Sequence, residues 1–502
     1  EIRLSLVGSE MCIRDRFKKY NKVLKEDYEK WYAEHESDRE ETAKDPMRLK
    51  FHLMPKTGWL NDPNGLCQFH GTYHIYYQYT PFEPTGELKL WGHYTTKDFV
   101  SYIDEGPALF PDSEFDAHGV YSGSAFVKED TIHYFYTGNI KYFDRDDYDY
   151  VNSGRGSNTI HVASKDGYHF SEKELLMTTD DYPGDMSCHV RDPKIIQRGD
   201  DYYMVQGARD MDSHGLILMF HSKDLSHWEY FDRIVPKEPF GYMWECPDLF
   251  ELDGQMMLIT CPQGVESKGI DYQNVHQCTA VRIDYDFENK TYEICDNLEF
   301  QQLDRGFDFY APQTFEDEKG RRILIGWMGI PDAGYANPTV EHGWQHALTI
   351  PRELHIKDGR IIQQPIKEME QMRKGELICT FSEQGRMESN LKLYEAEIRF
   401  RHCADMVLTL KKGVTLSYGD GLLTLDLGDF GAGRTTRCAG LDELKDLRIF
   451  ADTTSLEIFV NGGEEVFTTR VYSSQGKLGI DGDCSGTMKI YCLRPLEIGE
   501  RE

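Results

Sequence analysis

Three short segments, far apart in the chain, place a carboxylate beside a proline or two residues before one. They are Asn61-Asp62-Pro63, Arg191-Asp192-Pro193 and Glu245-Cys246-Pro247. Proline favours extended geometry in the residue before it, which is compatible with a strand. If the carboxylates share one pocket, crowding raises the pKa of at least one while another stays ionised. A proton donor beside an ionised carboxylate is the equipment of glycoside hydrolysis.

The same residues also suit ordinary turns, because Asp-Pro and Asn-Asp-Pro-Asn-Gly are common turn sequences. What separates the two interpretations is a repeat that runs through the chain. Five segments share one plan: a short strand, a Gly- or Asp-rich turn, and a strongly apolar or aromatic strand. Their turns fall near Gly71, Asp130, Asp200, Gly254 and Gly320. The acidic segments stand at the start of these units, so the repeat relates them to one another.

A hairpin-based unit of about 60 residues fits four strands, which is one propeller blade. The alternative is a generic string of hairpins in a large sandwich, and five regularly spaced copies favour the propeller. We therefore predict an all-β chain: a five-bladed β-propeller in 46–350, a linker in 351–373 with a short helix at 366–372, and a C-terminal β-sandwich in 374–502. The sandwich prediction rests on short alternating strands, including a hairpin around Asn461-Gly462.

The N-terminal region gives two further predictions. Apolar positions at steps of three and four predict a short amphipathic helix in 17–45, led by Phe17, Tyr20, Leu24, Tyr28 and Trp31. Residues 1–16 lack the hydrophobic core of a signal peptide. Their sequence SLVGSEMCIRDR resembles translated sequencing-adapter read-through, and we expect it to be foreign to the protein.

The composition of the chain limits the classes of molecule that it is expected to bind. The chain carries 56 Lys and Arg against 86 Asp and Glu, a net charge of −30, which disfavours nucleic acid and anionic membranes. No apolar run reaches the length of a membrane span. The 12 cysteines are scattered without a C-x-x-C pair, as in a reduced cytoplasmic protein. A neutral or weakly charged small substrate fits this charge better, and we expect no metal and no cofactor. His342 and His346 are interpreted as structural or sugar-proximal rather than as metal ligands.

In a propeller the innermost strands converge on the axis, so the starts of the five repeats should meet. At this point the sequence resembles a known family. WLNDPNG (59–65), VRDP (190–193) and WECPDLF (244–250) are similar to the three signature motifs of glycoside hydrolase family 32, the β-fructofuranosidases. Further matches run in order along residues 17–496. The family's fold is a five-bladed propeller followed by a β-sandwich, in agreement with the pattern of repeats.

The resemblance implies a role for each matching residue. Asp62 would be the nucleophile, Glu245 the general acid and then base, and Asp192 the stabiliser of the transition state. The fructose subsite would be lined by Asn61, Gln78, Trp91, Tyr121, Ser122, Arg191, Tyr310 and Trp327. Leu60, Tyr121 and Val190 differ from the residues common in the family, which bears on fine specificity and leaves the acids intact.

The implied activity is retaining hydrolysis of sucrose or sucrose 6-phosphate with release of fructose, by a monomer or homodimer. Within the class, an exo-acting fructanase for inulin or levan is the near alternative, and a fructosyltransferase is less favoured. From a different class, a non-catalytic carbohydrate-binding propeller remains an alternative, against which three crowded acids argue.

Overall fold

The structure, a computed structural model, describes residues 22–143, 146, 148–294, 300–382 and 387–501, without the side chains of 387 and 388. The predicted leader, and the start of the predicted N-terminal helix, lie outside these residues. Two helices open the described chain, α1 (Lys25–Glu34) and α2 (Glu36–Ala43), separated at His35. Tyr28 and Trp31 pack against Leu90 and Phe110. Leu24 precedes α1 and is 47% exposed, so it does not belong to the buried face.

Five antiparallel sheets follow in chain order. The first three contain β1 (Gly58–Phe69), β2 (Thr72–Thr80), β3 (Leu90–Thr96) and β4 (Ser101–Leu109); β5 (Val120–Lys128), β6 (Thr131–Lys141), β7 (Arg155–Ser164) and β8 (Glu174–Met177); and β9 (Met186–Arg198), β10 (Asp201–Asp210), β11 (Gly215–Ser222) and β12 (Glu229–Ile234). The fourth contains β13 (Met243–Leu252), β14 (Gln255–Gln263), β15 (Thr279–Asp286), β16 (Thr291–Ile294) and β17 (Gln301–Gln302).

The fifth sheet is assembled from a longer stretch of chain. Its region contains β18 (Tyr310–Glu316), β19 (Arg322–Met328), β20 (Trp344–Gln345), β21 (Ala347–Leu348), β22 (Arg352–Lys357) and β23 (Arg360–Pro365). The sheet order is β18-β19-β22-β23 with β21 on β19, while β20 crosses to pair with β1 of the first sheet. The predicted turns of the five hairpins all fall between the first and second strands of a sheet.

The first strands of the five sheets form a closed ring. β1 contacts β5, β5 contacts β9, β9 contacts β13, β13 contacts β18, and β18 contacts β1 again. Closure through side-by-side first strands brings residues from segments more than 180 positions apart around one centre, which is what a site built from 62, 192 and 245 requires.

Two six-stranded sheets make up the C-terminal part. Their strands are β24 (Arg373–Phe381), β25 (Met387–Ser389), β26 (Tyr394–Cys403), β27 (Asp405–Lys411), β28 (Val414–Gly419), β29 (Leu422–Asp426), β30 (Thr436–Gly440), β31 (Asp446–Ala451), β32 (Ser455–Val460), β33 (Glu465–Arg470), β34 (Gly476–Asp481) and β35 (Cys484–Leu493). The orders are β24-β35-β26-β31-β32-β33 and β25-β34-β27-β28-β29-β30, and an apolar core from both sheets lies between them.

Two boundaries differ from the sequence prediction. Residues 352–365 are not a linker, because β22 and β23 form a hairpin around Asp358-Gly359 that completes the fifth sheet. Asp-Gly is a hairpin signal that the change in pattern near 350 obscured.

The predicted short helix is present as the 3-10 helix Lys367–Met372. The other 3-10 helices of the described residues are Thr179–Asp181, Pro338–His342 and Gly428–Phe430. The end of the chain also leaves the C-terminal sheets, since β36 (Glu497–Glu500) pairs with β4 of the first sheet.

Buried ion pairs join the two parts of the molecule. Arg352 donates to Glu457 at 2.6 Å and to Asp304 at 3.2 Å, and Arg434 donates to Asp308 at 2.7 Å. All these groups are buried, so each guanidinium must have its carboxylate partner to offset desolvation. The pairs Arg352–Glu457 and Arg434–Asp308 hold the C-terminal sheets against the fifth sheet. Within the described ranges, no helix is long and apolar enough to cross a bilayer.

Candidate active site

Every first strand of the ring carries a two-residue β-bulge at the same level. The bulged pairs are 61–62, 121–122, 192–193, 246–247 and 311–312, each opposite a single residue of the second strand. A bulge bends the strand and re-aims a side chain. Proline has no backbone N–H to donate to a neighbouring strand, so within a sheet it is tolerated at bulges. This explains why Pro193, Pro247 and Pro312 can lie inside strands. The acid-proline segments of the sequence are therefore bulges at the ring's centre.

Asp62 lies in the first bulge and accepts hydrogen bonds from both sides. Asn61 donates to Oδ1 at 3.0 Å, and the Ser122 hydroxyl donates to Oδ2. Gln78 connects these donors, since it accepts from Asn61 at 2.7 Å and donates to Ser122 at 2.5 Å. Burial raises the pKa of Asp62, with a contribution from Glu245, while the two donors oppose the rise. The result is a carboxylate fixed in orientation on a rigid strand.

Asp192 lies in the third bulge with φ +65°, in the left-handed region. Its backbone N–H donates to Thr137 at 2.9 Å, and its Oδ2 accepts from the backbone N–H of Cys246 at 2.8 Å. Cys246 Sγ lies 3.8 Å from Asp62 Oδ2, so one residue touches both aspartates. Burial raises the pKa of Asp192 to about 7; Arg191 opposes this, and Glu245 and Asp62 add to it.

Glu245 precedes the fourth bulge and has partners on both carboxylate oxygens. Arg191 donates to Oε1 from Nε at 3.1 Å and from Nη2 at 2.5 Å. Tyr310 and Gln263 donate to Oε2 at 2.7 and 2.8 Å. The third and fourth sheets approach closely here, because a Cβ on Gly207 would lie 2.0 Å from the carbonyl oxygen of Trp244. The three carboxylates thus meet within one network of contacts.

The remaining aromatic candidates differ in how far they are buried. Trp91 is fully buried and donates to the carbonyl oxygen of Tyr121 at 3.1 Å, so it supports the second bulge. Trp327 donates to His346 at 2.5 Å. Trp59 stands beside both, with ring centroids 5.8 Å from Trp327 and 4.3 Å from His346. The partly exposed Trp59 is thereby held at the edge of the pocket.

Several residues that contact the candidate acids, or lie near them, were not selected by the sequence analysis. Gln263 is at the end of a second strand with no motif around it, and Cys246 stood only as a spacer inside a motif. Lys89 packs over the Trp59 ring at 4.9 Å from its centroid, and burial lowers its pKa to about 7. A spatial neighbour on another strand leaves no local signal, although the register opposite the second bulge would have pointed to Thr137.

Chemically, the site has three acids of different environment around one centre. Glu245 accepts from the guanidinium of Arg191, and Asp192 accepts from the backbone N–H of Cys246. Asp62 accepts from the Ser122 hydroxyl and the Asn61 amide. Such an arrangement can donate a proton from one side while a second carboxylate attacks from the other, as glycoside hydrolysis by double displacement requires.

Comparison with known proteins agrees with this geometry. Residues 52–365 match the glycosyl hydrolases family 32 N-terminal domain, and residues 424–487 match the family 32 C-terminal domain. A sucrose-6-phosphate hydrolase of Bacillus subtilis is 36% identical over 481 residues, which are 91% of this chain and 96% of that protein.

Solved structures with a similar overall fold include two that are named here. The sucrose-6-phosphate hydrolase from Lactobacillus gasseri superposes with a TM-score of 0.81 at 28% identity, covering 92% of this chain and 96% of that chain. A mutant of a Bombyx mori GH32 β-fructofuranosidase in complex with sucrose gives 0.80 at 27% identity, covering 94% and 98%.

Proposed function

The chain belongs to glycoside hydrolase family 32, and on that basis we propose that it hydrolyses sucrose or sucrose 6-phosphate and releases fructose, as an invertase-type β-fructofuranosidase. The observation that carries the proposal is the meeting of Asp62, Asp192 and Glu245 through Cys246 and Arg191. A sugar-binding protein gains nothing from crowding three acids that repel one another.

In the proposed reaction, Asp62 attacks the anomeric carbon of the fructosyl unit while Glu245 gives its proton to the departing glycosidic oxygen. The products of this step are a fructosyl ester of Asp62 and the free leaving sugar. Glu245, now ionised, takes a proton from water, whose oxygen displaces Asp62 and releases fructose. Both displacements invert the anomeric centre, so the overall reaction retains its configuration.

We assign the other residues by what they touch. Asp192 holds sugar hydroxyls and stabilises the charge that develops on the ring, while Arg191 orients Glu245. Asn61, Gln78 and Ser122 fix Asp62 and line the fructose subsite with the Tyr121 segment. Tyr310 orients Glu245 from the opposite side. Trp91 and Trp327 support this subsite, the first through the Tyr121 carbonyl and the second beside Trp59.

We also propose that the five sheets are the blades of a β-propeller and that the two six-stranded sheets form a β-sandwich bracing it. The cyclic contact of the first strands supports the propeller, and the shared core supports the sandwich. Scattered cysteines without a disulfide framework support a cytoplasmic location. We propose a monomer or homodimer that needs no metal or cofactor, because leaving-group protonation activates the acetal carbon.

The test is hydrolysis by the purified protein of sucrose, sucrose 6-phosphate and inulin, with the anomeric form of the first fructose released followed over time. The proposal expects sucrose-type substrates to be cleaved with retention. Preference for inulin would favour an exo-fructanase, and binding of sugar without cleavage of any of the three would overturn the proposal in favour of a binding protein.

A further inference from the structure

His346 lies where the chain crosses from the first sheet to the fifth, at the edge of the pocket. The residue before it, Gln345, pairs with Trp59 of β1, and the residue after it, Ala347, pairs with Met328 of β19. His346 is 3% exposed and has a φ of +75°, in the left-handed region that few non-glycine residues adopt. Such a conformation persists only where the surrounding contacts hold the residue in place.

The ring of His346 packs against two tryptophans of the pocket wall. Its centroid lies 4.3 Å from that of Trp59 and 5.0 Å from that of Trp327. The indole N–H of Trp327 can only donate, so Nδ1 of His346 accepts its hydrogen bond at 2.5 Å. This needs an uncharged ring, and burial, with Arg470 and Arg434, lowers the pKa of His346 well below the ordinary histidine value. The position of the wall therefore depends on where His346 is held.

Asn337 holds this crossing from below. It precedes the 3-10 helix Pro338–His342 and is 7% exposed. Its Nδ2 donates to Gln345 Oε1 at 2.6 Å and lies 3.3 Å from His346 Nε2. Gln345 donates in turn to the carbonyl oxygen of Pro84 at 2.7 Å. One amide thus contacts both residues of the crossing that face the tryptophan wall.

The C-terminal part of the chain supplies two donors to the side-chain oxygen of Asn337. Arg434 Nη2 donates to it at 2.6 Å, and the Tyr472 hydroxyl donates at 2.9 Å. Arg434 is itself fixed, because it is 1% exposed and donates twice to Asp308, each time at 2.7 Å. Two donors on one oxygen leave the NH₂ group of Asn337 to face Gln345. The orientation of this amide is therefore set by the C-terminal sheets.

Further hydrogen bonds lead from the tryptophan wall to the proposed nucleophile. Trp59 Nε1 donates to Asn61 Oδ1 at 2.8 Å, and Asn61 Nδ2 donates to Asp62 Oδ1 at 3.0 Å. A continuous series of contacts thus runs from the C-terminal sheets to Asp62, and Asn337 lies in the middle of it.

We propose that Asn337 is a positioning residue through which the C-terminal sheets orient Trp59 and, through it, Asp62. This inference rests on the proposed function, because it takes Asp62 as the nucleophile. Asn337 is separated from Asp62 by other residues, so its loss changes the geometry of the attack and leaves the reacting groups themselves intact. The C-terminal sheets thereby contribute to the reaction as well as to the fold.

The experiment is a double-mutant cycle of Asn337→Ala and Trp59→Phe, which removes the indole donor to Asn61. The readouts are kcat and KM for sucrose or sucrose 6-phosphate, whichever the wild type cleaves faster. Each single substitution should lower kcat by at least about tenfold, with a smaller change of KM, because a misplaced nucleophile weakens the transition state more than binding. The double variant should be no slower than Trp59→Phe, because Asn337 acts through Trp59.

Tyr472→Phe is a second variant that removes one donor to Asn337 and preserves the aromatic ring, so it serves even if Asn337→Ala does not fold. It should lower kcat about threefold or more in the wild type and leave Trp59→Phe unchanged. Lys357→Gln is the matched control, because Lys357 of β22 pairs with Glu464 across the same interface. Its kcat should equal that of the wild type.

Three results would overturn the positioning role. They are a normal kcat in the folded variants of Asn337 and Tyr472, losses that multiply with that of Trp59→Phe as those of independent sites do, and an equal loss in Lys357→Gln. In each case a wild type that cleaves sucrose-type substrates leaves the proposed hydrolase function standing. A wild type that cleaves none of them would refute that function itself.

Discussion

Arg191 donates two hydrogen bonds to the same oxygen of Glu245, at 3.1 and 2.5 Å, and leaves the other oxygen to Tyr310 and Gln263. The next residue, Asp192, accepts from the backbone N–H that follows Glu245. The dipeptide Arg191-Asp192 in the third sheet therefore holds the side chain of Glu245 and the backbone N–H of Cys246 in the fourth. These two contacts set the position of Glu245 relative to Asp192.

Replacing Asp62 by Asn should reduce turnover of sucrose and sucrose 6-phosphate by at least about a thousandfold, because an amide cannot form the fructosyl ester. The measurement is kcat on the purified variant, after removal of any wild-type contamination. Asp130→Asn, at an exposed turn of the second sheet, is the control and should match the wild type. Near-normal turnover in the Asp62 variant would refute its assignment as nucleophile.

Replacing Glu245 by Gln should also cost at least about a thousandfold on sucrose, but far less in the first step on an aryl fructofuranoside. A good leaving group departs without a proton, so the general acid is dispensable there. Glu251→Gln, on the same strand with a side chain 59% exposed, is the matched control. Equal losses on sucrose and on the aryl substrate, measured as the burst of released phenol, would contradict the role of general acid.

Replacing Tyr310 by Phe removes one donor to Glu245 Oε2. Without that donor the Glu245 carboxyl is held less firmly, so kcat/KM on sucrose should fall by about tenfold or more. The first step on an aryl fructofuranoside, whose leaving group needs no proton, should lose little. Tyr230→Phe removes an exposed hydroxyl that accepts from Arg233 and should match the wild type on both substrates. Equal losses on the two substrates in Tyr310→Phe would show that Tyr310 does not act through Glu245.

Replacing Asp192 by Asn should abolish most activity yet stabilise the fold at pH 8. The pKa of Asp192 rises from an ordinary value near 4 to about 7 on folding, mainly through burial. Its ionised form therefore destabilises the folded state increasingly as pH rises between these values, and fully above them. Asn also tolerates the φ of +65° at this position. We expect a higher Tm than the wild type at pH 8 and no gain near pH 4.

The control for this stability effect is Asp358→Asn, because Asp358 has a φ of +51° but stands exposed in a turn. Its Tm should follow the wild type at both pH values. A gain in Asp192→Asn that is the same at pH 4 and pH 8 would show that the effect does not come from the buried charge.

Much of the fold could be predicted because it follows from local patterns in the sequence. The five hairpin turns and the acid-proline segments recur at matching places, and the structure shows why: each segment is a bulge at the ring's centre. The sequence predicts a linker where the strands at 352–365 lie, since their Asp358-Gly359 turn is beyond the point where the repeat stops. The end of the chain was missed because pairing of β36 with β4 joins residues about 400 positions apart.

The candidate site was predictable to a different degree. Its acids stand in motifs, so sequence alone selected Asp62, Asp192 and Glu245. Gln263 gave no comparable signal, because its importance depends on which strand lies opposite.

The central claim is tested most directly by trapping the fructosyl-enzyme. Glu245→Gln, incubated with an aryl fructofuranoside, should form the ester rapidly and hydrolyse it slowly, because the base that activates water is missing. After an acid quench and digestion, mass spectrometry should find one fructosyl unit on the peptide that contains Asp62. A fructosyl unit on the peptide of Asp192, or rapid turnover with inversion and no adduct, would contradict the account.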